Sequence, residues 1–135
     1  MNVLVDTSVW SLAMRRDEKE HRAVVQKLKS WLEGGAAIFT TGFIVQELVQ
    51  GFAGPRAAGL IASTLSKLPL IVPKLDDHIE AASLRNLCRR RGVQLGTIDA
   101  LIAQICITHR SSLLTTDRDF EMAQRFCPLQ LVKLD

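Results

Sequence analysis

The chain has 135 residues, of which 47% are hydrophobic and 23% are charged. These values fit one globular domain spanning residues 1–135 and exclude a disordered chain. The net charge of +3 permits a polyanionic partner without requiring one. No apolar run reaches the ~20 residues of a membrane-spanning helix, and the first residues lack the pattern of a signal peptide. We therefore expect a cytoplasmic protein with no membrane segment.

The cysteines and histidines form no metal or disulfide pattern. Cys88, Cys106 and Cys127 are odd in number and contain no CxxC pair, so neither a disulfide framework nor a zinc knuckle is predicted. The three histidines are scattered without ligand spacing, and we interpret them as helix-surface residues.

Short apolar segments alternate with amphipathic segments along the chain. The first strand leads into a helix that Thr7 or Ser8 can cap, and Asp76 is predicted to cap a long helix that Gly92 closes. The helix ending near residue 33 carries one apolar face, formed by Val24, Val25, Leu28, Trp31 and Leu32. The predicted strands cover residues 3–5, 37–40, 70–72, 113–115 and 129–134. The predicted helices cover residues 7–14, 22–33, 42–51, 56–67, 76–91, 97–109 and 119–126.

This alternation predicts an α/β fold, a three-layer α/β/α sandwich around a short, mainly parallel sheet of four to five strands. Ligands of such sheets bind beyond the carboxyl ends of the strands. Asp6 directly follows the first strand, and Asp117 follows the strand over residues 113–115. Each of these acids has a simpler alternative as a helix cap, and Asp119 has the same alternative ahead of Phe120.

Two further acids lie on predicted helices. Asp99 is in the first turn of IDALIAQICI, which is apolar on nearly every side, so its carboxylate is predicted to need a partner or a cation. In FIVQELVQG, Glu47 falls on the apolar side, while Gln46 and Gln50 are predicted to face solvent. A position at the edge of a surface helix is the alternative for Glu47.

Considered together, Asp6, Glu47, Asp99 and Asp117 favour a metal site. Apart from Arg118, no Lys or Arg lies within three residues of any of them. Four carboxylates brought together would repel one another and raise their pKa values unless a cation neutralised them. Oxygen ligands without His or Cys favour Mg²⁺ or Mn²⁺.

Four stretches in order, VDTSVW, TGFIVQELVQG, GTIDALIAQ and LLTTDRDF, resemble the acidic motifs of PIN-domain nucleases. The resemblance covers residues 2–132, and the chain is most similar to the VapC-type toxins of bacterial toxin–antitoxin pairs. It implies an endoribonuclease that hydrolyses RNA with Mg²⁺ or Mn²⁺ and is blocked by a VapB-type antitoxin. It also suggests a homodimer, for which the apolar helices after Gly42 and Gly54 could supply the interface.

The resemblance places the catalytic acids of the family on Asp6, Glu47, Asp99 and Asp117. We expect Asp6, Asp99 and Asp117 to be metal ligands, and Glu47 to bind a second metal or orient the attacking water. The supporting groups expected around them are Thr7, Ser8, Thr116 and Asp119, the last of which matches an acid present in only part of the family.

An acidic pit repels RNA, so we expect nearby cations or aromatic rings to attract it. The candidates are Arg15, Arg16, Arg118 and Trp10, with Arg56, Lys74 and Arg89, Arg90 and Arg91 as further cations. For the run RRR, a solvated position at a helix C-terminus is the favoured interpretation. Trp10 could stack on a base or belong to the core.

Two alternatives to a nuclease stay open at this point. A HAD-like phosphatase would need a second acid two positions after its nucleophilic Asp, whereas this sequence has Asp6-Thr7-Ser8. A non-catalytic PIN-fold module that binds RNA or protein would not need the four acids. The sequence does not identify the RNA, its cleavage site or the number of metal ions.

Overall fold

The computed structural model describes residues 2–15, 22–52 and 54–134. Four parallel strands form one sheet in the order β2-β1-β3-β4. The strands are β1 (Asn2–Val5), β2 (Ala37–Phe39), β3 (Ser112–Leu114) and β4 (Gln130–Leu131). The described helices are α1 (Thr7–Met14), α2 (Arg22–Gly34), α3 (Gly42–Gly51), α4 (Pro55–Leu65), α5 (Leu75–Arg90), α6 (Thr97–Thr108) and α7 (Arg118–Ala123). The predicted α/β fold with a parallel central sheet flanked by helices is confirmed.

The register of the two central strands sets the position of the acids. Val5 pairs with Leu114, and the backbone N–H of Asp6 donates to the Leu114 carbonyl at 2.9 Å. Because β1 and β3 run in the same direction, the segments that follow them leave the sheet at one edge. Asp6 and Asp117 therefore emerge side by side although 111 residues separate them in the sequence.

The core lies on both faces of β1. Val3, Leu4 and Val5 are each 0% exposed, as expected of a strand that helices cover on both sides. The prediction that α6 is buried on nearly every side is also confirmed. Its buried residues are Ala100, Leu101, Ile102, Ala103, Ile105 and Cys106.

Residues 70–72 do not form the predicted strand. Leu70 makes one isolated parallel bridge with Thr40, and the Thr40 N–H donates to the Pro69 carbonyl at 3.0 Å. Proline has no N–H for a ladder, and Pro69 and Pro73 bracket the segment. The pairing therefore ends after a single bridge.

Two local predictions about the helices are wrong. α5 begins at Leu75, one residue before the predicted cap Asp76, and the Asp77 carboxylate instead accepts the backbone N–H of Lys74 at 2.8 Å. On α2, Leu32 is 43% exposed, so the apolar face is narrower than predicted. Among the described helices, none has the length and apolar character needed to cross a membrane.

Candidate metal centre

Asp6 occupies the N-cap position of α1 but does not cap the helix. Its Oδ2 instead accepts hydrogen bonds from Ser8 Oγ and Thr115 Oγ1, both at 2.8 Å. The prediction that Thr7 or Ser8 caps α1 is wrong, because both hydroxyls point toward carboxylates. Asp6 is only 7% exposed, so a charge held there requires either these hydroxyl groups or a cation.

Glu47 joins the same cluster from α3. Thr7 Oγ1 donates to Glu47 Oε1 at 3.3 Å, which links the start of α1 to the middle of α3. Burial raises the pKa of Glu47, the Thr7 hydrogen bond opposes that rise, and the charge of Asp6 adds to it. Gln46 and Gln50 are exposed while Glu47 is partly buried, as predicted.

Asp117 has the helix-cap role that the sequence offered as an alternative. It is the N-cap of α7, and its Oδ1 accepts the backbone N–H of Asp119 at 2.9 Å. Asp119 is thus the donor to the cap and not the cap itself. The backbone N–H of Asp117 donates to Thr115 Oγ1 at 3.0 Å. The same Thr115 hydroxyl therefore contacts both Asp6 and the Asp117 backbone.

Asp99, in the first turn of α6, lies within the electrostatic field of all the other acids. The pKa of Asp99 is raised to about 6. Burial contributes most to this rise, followed by the charges of Asp6, Asp117, Glu47 and Asp119 in that order. None of the groups that shift this pKa is a cation. Carboxylates from three helices and two strand ends therefore lie close enough to act on one another electrostatically.

Asp6, Glu47, Asp99, Asp117 and Asp119 form what we call the acidic cluster, and its carboxylate oxygens divide into bound and free sets. Within the described ranges, hydrogen bonds from the protein engage Oδ2 of Asp6, Oε1 of Glu47 and Oδ1 of Asp117. The second oxygen of each carboxylate accepts no hydrogen bond from the described residues. A carboxylate held by one oxygen and free at the other is oriented for an external cation.

The donor set fits a hard divalent cation, because all of its donors are oxygens. No group of three His, Cys, Asp or Glu side chains in the described part of the chain is already arranged to hold a metal ion. The donors are therefore of the right chemical kind but do not form a closed cage around one point.

Thr115, which the sequence reasoning missed, has the position predicted for Thr116. The side chain of Thr116 is exposed, and its backbone N–H donates to Ser8 Oγ at 3.2 Å. Thr115 Oγ1 also lies 3.4 Å from Ser8 Oγ. The prediction that the Thr116 hydroxyl supports the acidic cluster is therefore wrong. The only indication in the sequence was the pair Thr115-Thr116 after the strand, and the sequence does not show which of the two hydroxyls faces Asp6.

Substituting Thr115→Val should weaken Mg²⁺ or Mn²⁺ binding roughly 10- to 100-fold, because the hydroxyl that orients Asp6 is lost while the shape is kept. Thr116→Val is the matched control and should change the affinity little. Calorimetric titration of each variant with Mn²⁺ measures the difference. Equal affinities for the two variants would contradict the assigned hydroxyl.

The cations and the ring expected to meet RNA fall in different places. Trp10 is 2% exposed and cannot present a face to a base, so the base-stacking prediction is wrong and the core alternative holds. Arg15 and Arg118 are exposed, which keeps both predictions open, and Arg16 lies outside the described residues. Arg91 lies over the ring of Phe126 at 5.9 Å, so the RRR run is partly engaged in packing.

Comparison with known proteins adds to this geometry. The sequence model of the PIN domain matches residues 3–125. The chain belongs to the PIN domain family. Ribonuclease VapC11 of Mycobacterium tuberculosis is 29% identical over 132 residues, which cover 95% of this chain and 96% of that protein. A VapC ribonuclease of Mycobacterium bovis matches with the same identity and coverage.

Solved structures share the PIN fold. The crystal structure of VapBC2 from Rickettsia felis, bound to a DNA fragment from its promoter, aligns over 100% of both chains with a TM-score of 0.77 and 21% identity. The DNA-bound VapBC structure from Salmonella typhimurium covers 100% of this chain and 99% of its own, with a TM-score of 0.78 and 16% identity. At these identities the likeness concerns the fold, and it agrees with the sheet described above.

Proposed function

We propose that this PIN-domain chain is an endoribonuclease that depends on Mg²⁺ or Mn²⁺, and that it acts as the toxin of a VapBC-type toxin–antitoxin pair. The observation that carries the proposal is the half-buried Asp99 carboxyl, whose pKa is raised by four other acids and is lowered by no cation among the described residues. The names of the two mycobacterial relatives, both ribonucleases, support RNA as the substrate.

The acidic cluster would hold the cation through the free oxygens of Asp6 and Asp117 together with Asp99. A divalent ion bound there supplies charge neutralisation for phosphoryl oxygens and a more acidic water. Glu47 keeps its Oε2 free beside Asp6, and its raised pKa suits it to accept a proton from an attacking water. Thr7, Ser8 and Thr115 hold the carboxylates in place through the hydrogen bonds described above.

The PIN domain match and the acidic cluster distinguish a nuclease from the two alternatives considered above. A HAD-like phosphatase is wrong, because the PIN domain match covers residues 3–125. A non-catalytic PIN-fold module would not need an acidic cluster that is costly to keep without a cation. The nuclease proposal is therefore favoured over the interaction module, and the experiment below separates them.

The proposal extends to partners and location. A VapB-type antitoxin would be the protein partner, as the VapBC complexes of the structural relatives suggest. A homodimer is proposed from the apolar side chains left exposed on and near α4 and α5, which are Leu60, Leu70, Val72, Leu75 and Ile79. We further propose that residues 1–135 act as one nuclease domain in the cytoplasm, where cellular RNA is available.

Incubating the purified protein with a pool of cellular RNAs should give defined fragments with Mg²⁺ or Mn²⁺ and none with EDTA. The fragments should end in 5′ or 3′ phosphate groups, because hydrolysis breaks one P–O bond of the backbone and adds water across it. Sequencing the fragment ends identifies the RNA and the cut. Metal binding with no cleavage of any RNA in the pool would favour the non-catalytic module.

A further inference from the structure

A basic cleft lies beside the acidic cluster. It has a volume of about 460 Å³ and is lined by Arg85, Arg89, Gln94, Leu95 and Gly96. Among the described residues, no carboxylate lines this arginine cleft. Arg85 and Arg89 are four residues apart on α5, so their side chains lie on the same face of the helix. Like charges at this spacing repel each other weakly, and an anion bound between them would relieve that repulsion.

Arg85 is the unsatisfied member of the pair. Its Nε is buried and has no hydrogen-bond partner in the part of the chain that the structure describes. A charged donor left buried without a partner is costly, so an acceptor from outside the described chain, a water or an anion, would lower that cost. A guanidinium presents a planar fork that matches the oxygens of a phosphate group. The Gln94 amide can donate to the same ligand without adding charge.

Gly96 connects the arginine cleft to the acidic cluster. It lines the cleft and is also the N-cap of α6, the helix that carries Asp99. A Cβ atom at Gly96 would lie 3.8 Å from Asp99 Oδ2, so this glycine borders both the cleft and that carboxylate. The cleft therefore lies near the proposed metal site.

We propose that the arginine cleft binds a backbone phosphate of the RNA strand, adjacent in sequence to the phosphate that is hydrolysed. The inference rests on the proposed nuclease function and assigns Arg85 and Arg89 as positioning residues for its substrate. The cleft volume falls in the range that accommodates a nucleotide-sized ligand. The two positive charges offset the repulsion that the acidic cluster exerts on the same strand.

The test measures binding of a labelled single-stranded RNA by fluorescence anisotropy in EDTA, where cleavage does not interfere, over a series of salt concentrations. Arg85→Gln and Arg89→Gln should each weaken binding roughly tenfold, because charge-assisted hydrogen bonds are lost. Each should also reduce the slope of log affinity against log salt by about 0.7, the value for one single-strand phosphate contact. Arg125→Gln removes an exposed charge outside the cleft and should leave the slope unchanged.

Wild-type affinity and salt slope in both cleft variants would overturn the proposal. Binding of inorganic phosphate at the cleft, seen by calorimetry without any effect of the variants on RNA affinity, would overturn it equally. Arg89 is exposed, so Arg89→Gln is expected to fold even where Arg85→Gln does not. The binding assay needs no cleavage: a protein that cleaves RNA but ignores these substitutions refutes the cleft alone, whereas one that never cleaves refutes the nuclease function.

Discussion

Replacing Asp6 by Asn should lower the rate of RNA cleavage by roughly 10²- to 10⁴-fold, because the variant loses a carboxylate of the proposed metal site, and such a ligand is worth several kcal/mol in the transition state. The fold should survive the change. Asp6 Oδ2 accepts from both Ser8 and Thr115, and an amide carbonyl oxygen also has two lone pairs for those donors. The rate is measured with the RNA that the wild-type protein cuts, at saturating Mg²⁺ or Mn²⁺.

Asp76→Asn is the matched control for this rate. Asp76 is exposed on α5, so the same loss of one carboxylate should leave cleavage unchanged. Circular dichroism should show the same helix content for both variants and for the wild-type protein. Retained metal-dependent cleavage by Asp6→Asn would remove Asp6 from the catalytic site.

Asp99→Asn should stabilise the metal-free protein at pH 7 by about 1–2 kcal/mol, after discounting the pKa shift for partial contact with solvent. Folding raises the pKa of Asp99 from 3.8 to about 6, so the folded state binds this proton more tightly than the unfolded state. The stability contributed by the protonated group is present below about pH 4 and is lost as the pH rises through about 6. The uncharged amide does not pay that penalty.

Thermal unfolding in EDTA at pH 5 and at pH 7 tests this prediction. The melting temperature of Asp99→Asn should exceed that of the wild type by roughly 3–8 °C at pH 7 and by less at pH 5. Adding Mg²⁺ should narrow the difference at pH 7, because a cation stabilises the ionised wild-type cluster and binds the variant weakly. A variant no more stable than the wild type at pH 7, with an equal response to Mg²⁺, would show that Asp99 lies outside the cluster.

The sequence predicted most of the elements, apart from the strand over residues 70–72, and it predicted that acids meet at one edge of the sheet, because both follow from short-range patterns and strand direction. Apolar runs such as residues 3–5 specify buried strands, and parallel strands necessarily end at one edge of their sheet. An acid on the all-round apolar helix α6 needs an electrostatic explanation wherever that helix packs. Neither pattern depends on the exact register of the neighbouring strands, and the two together predicted a common site for Asp6, Glu47, Asp99 and Asp117.

Only the tertiary structure decided the role of those groups whose function depends on which way their side chains point. Thr115 rather than Thr116 reaches Asp6, because adjacent side chains after a strand point to opposite sides and the register of β1 with β3 selects one of them. Trp10 is covered by the core, which a local pattern does not reveal. Arg85 shares a cleft with Gly96 only in the folded chain, since the cleft forms where the segment before α6 packs against α5. The local pattern of the sequence thus determined the strands, the helices and the charged residues they carry. Tertiary packing determined which side chains face one another.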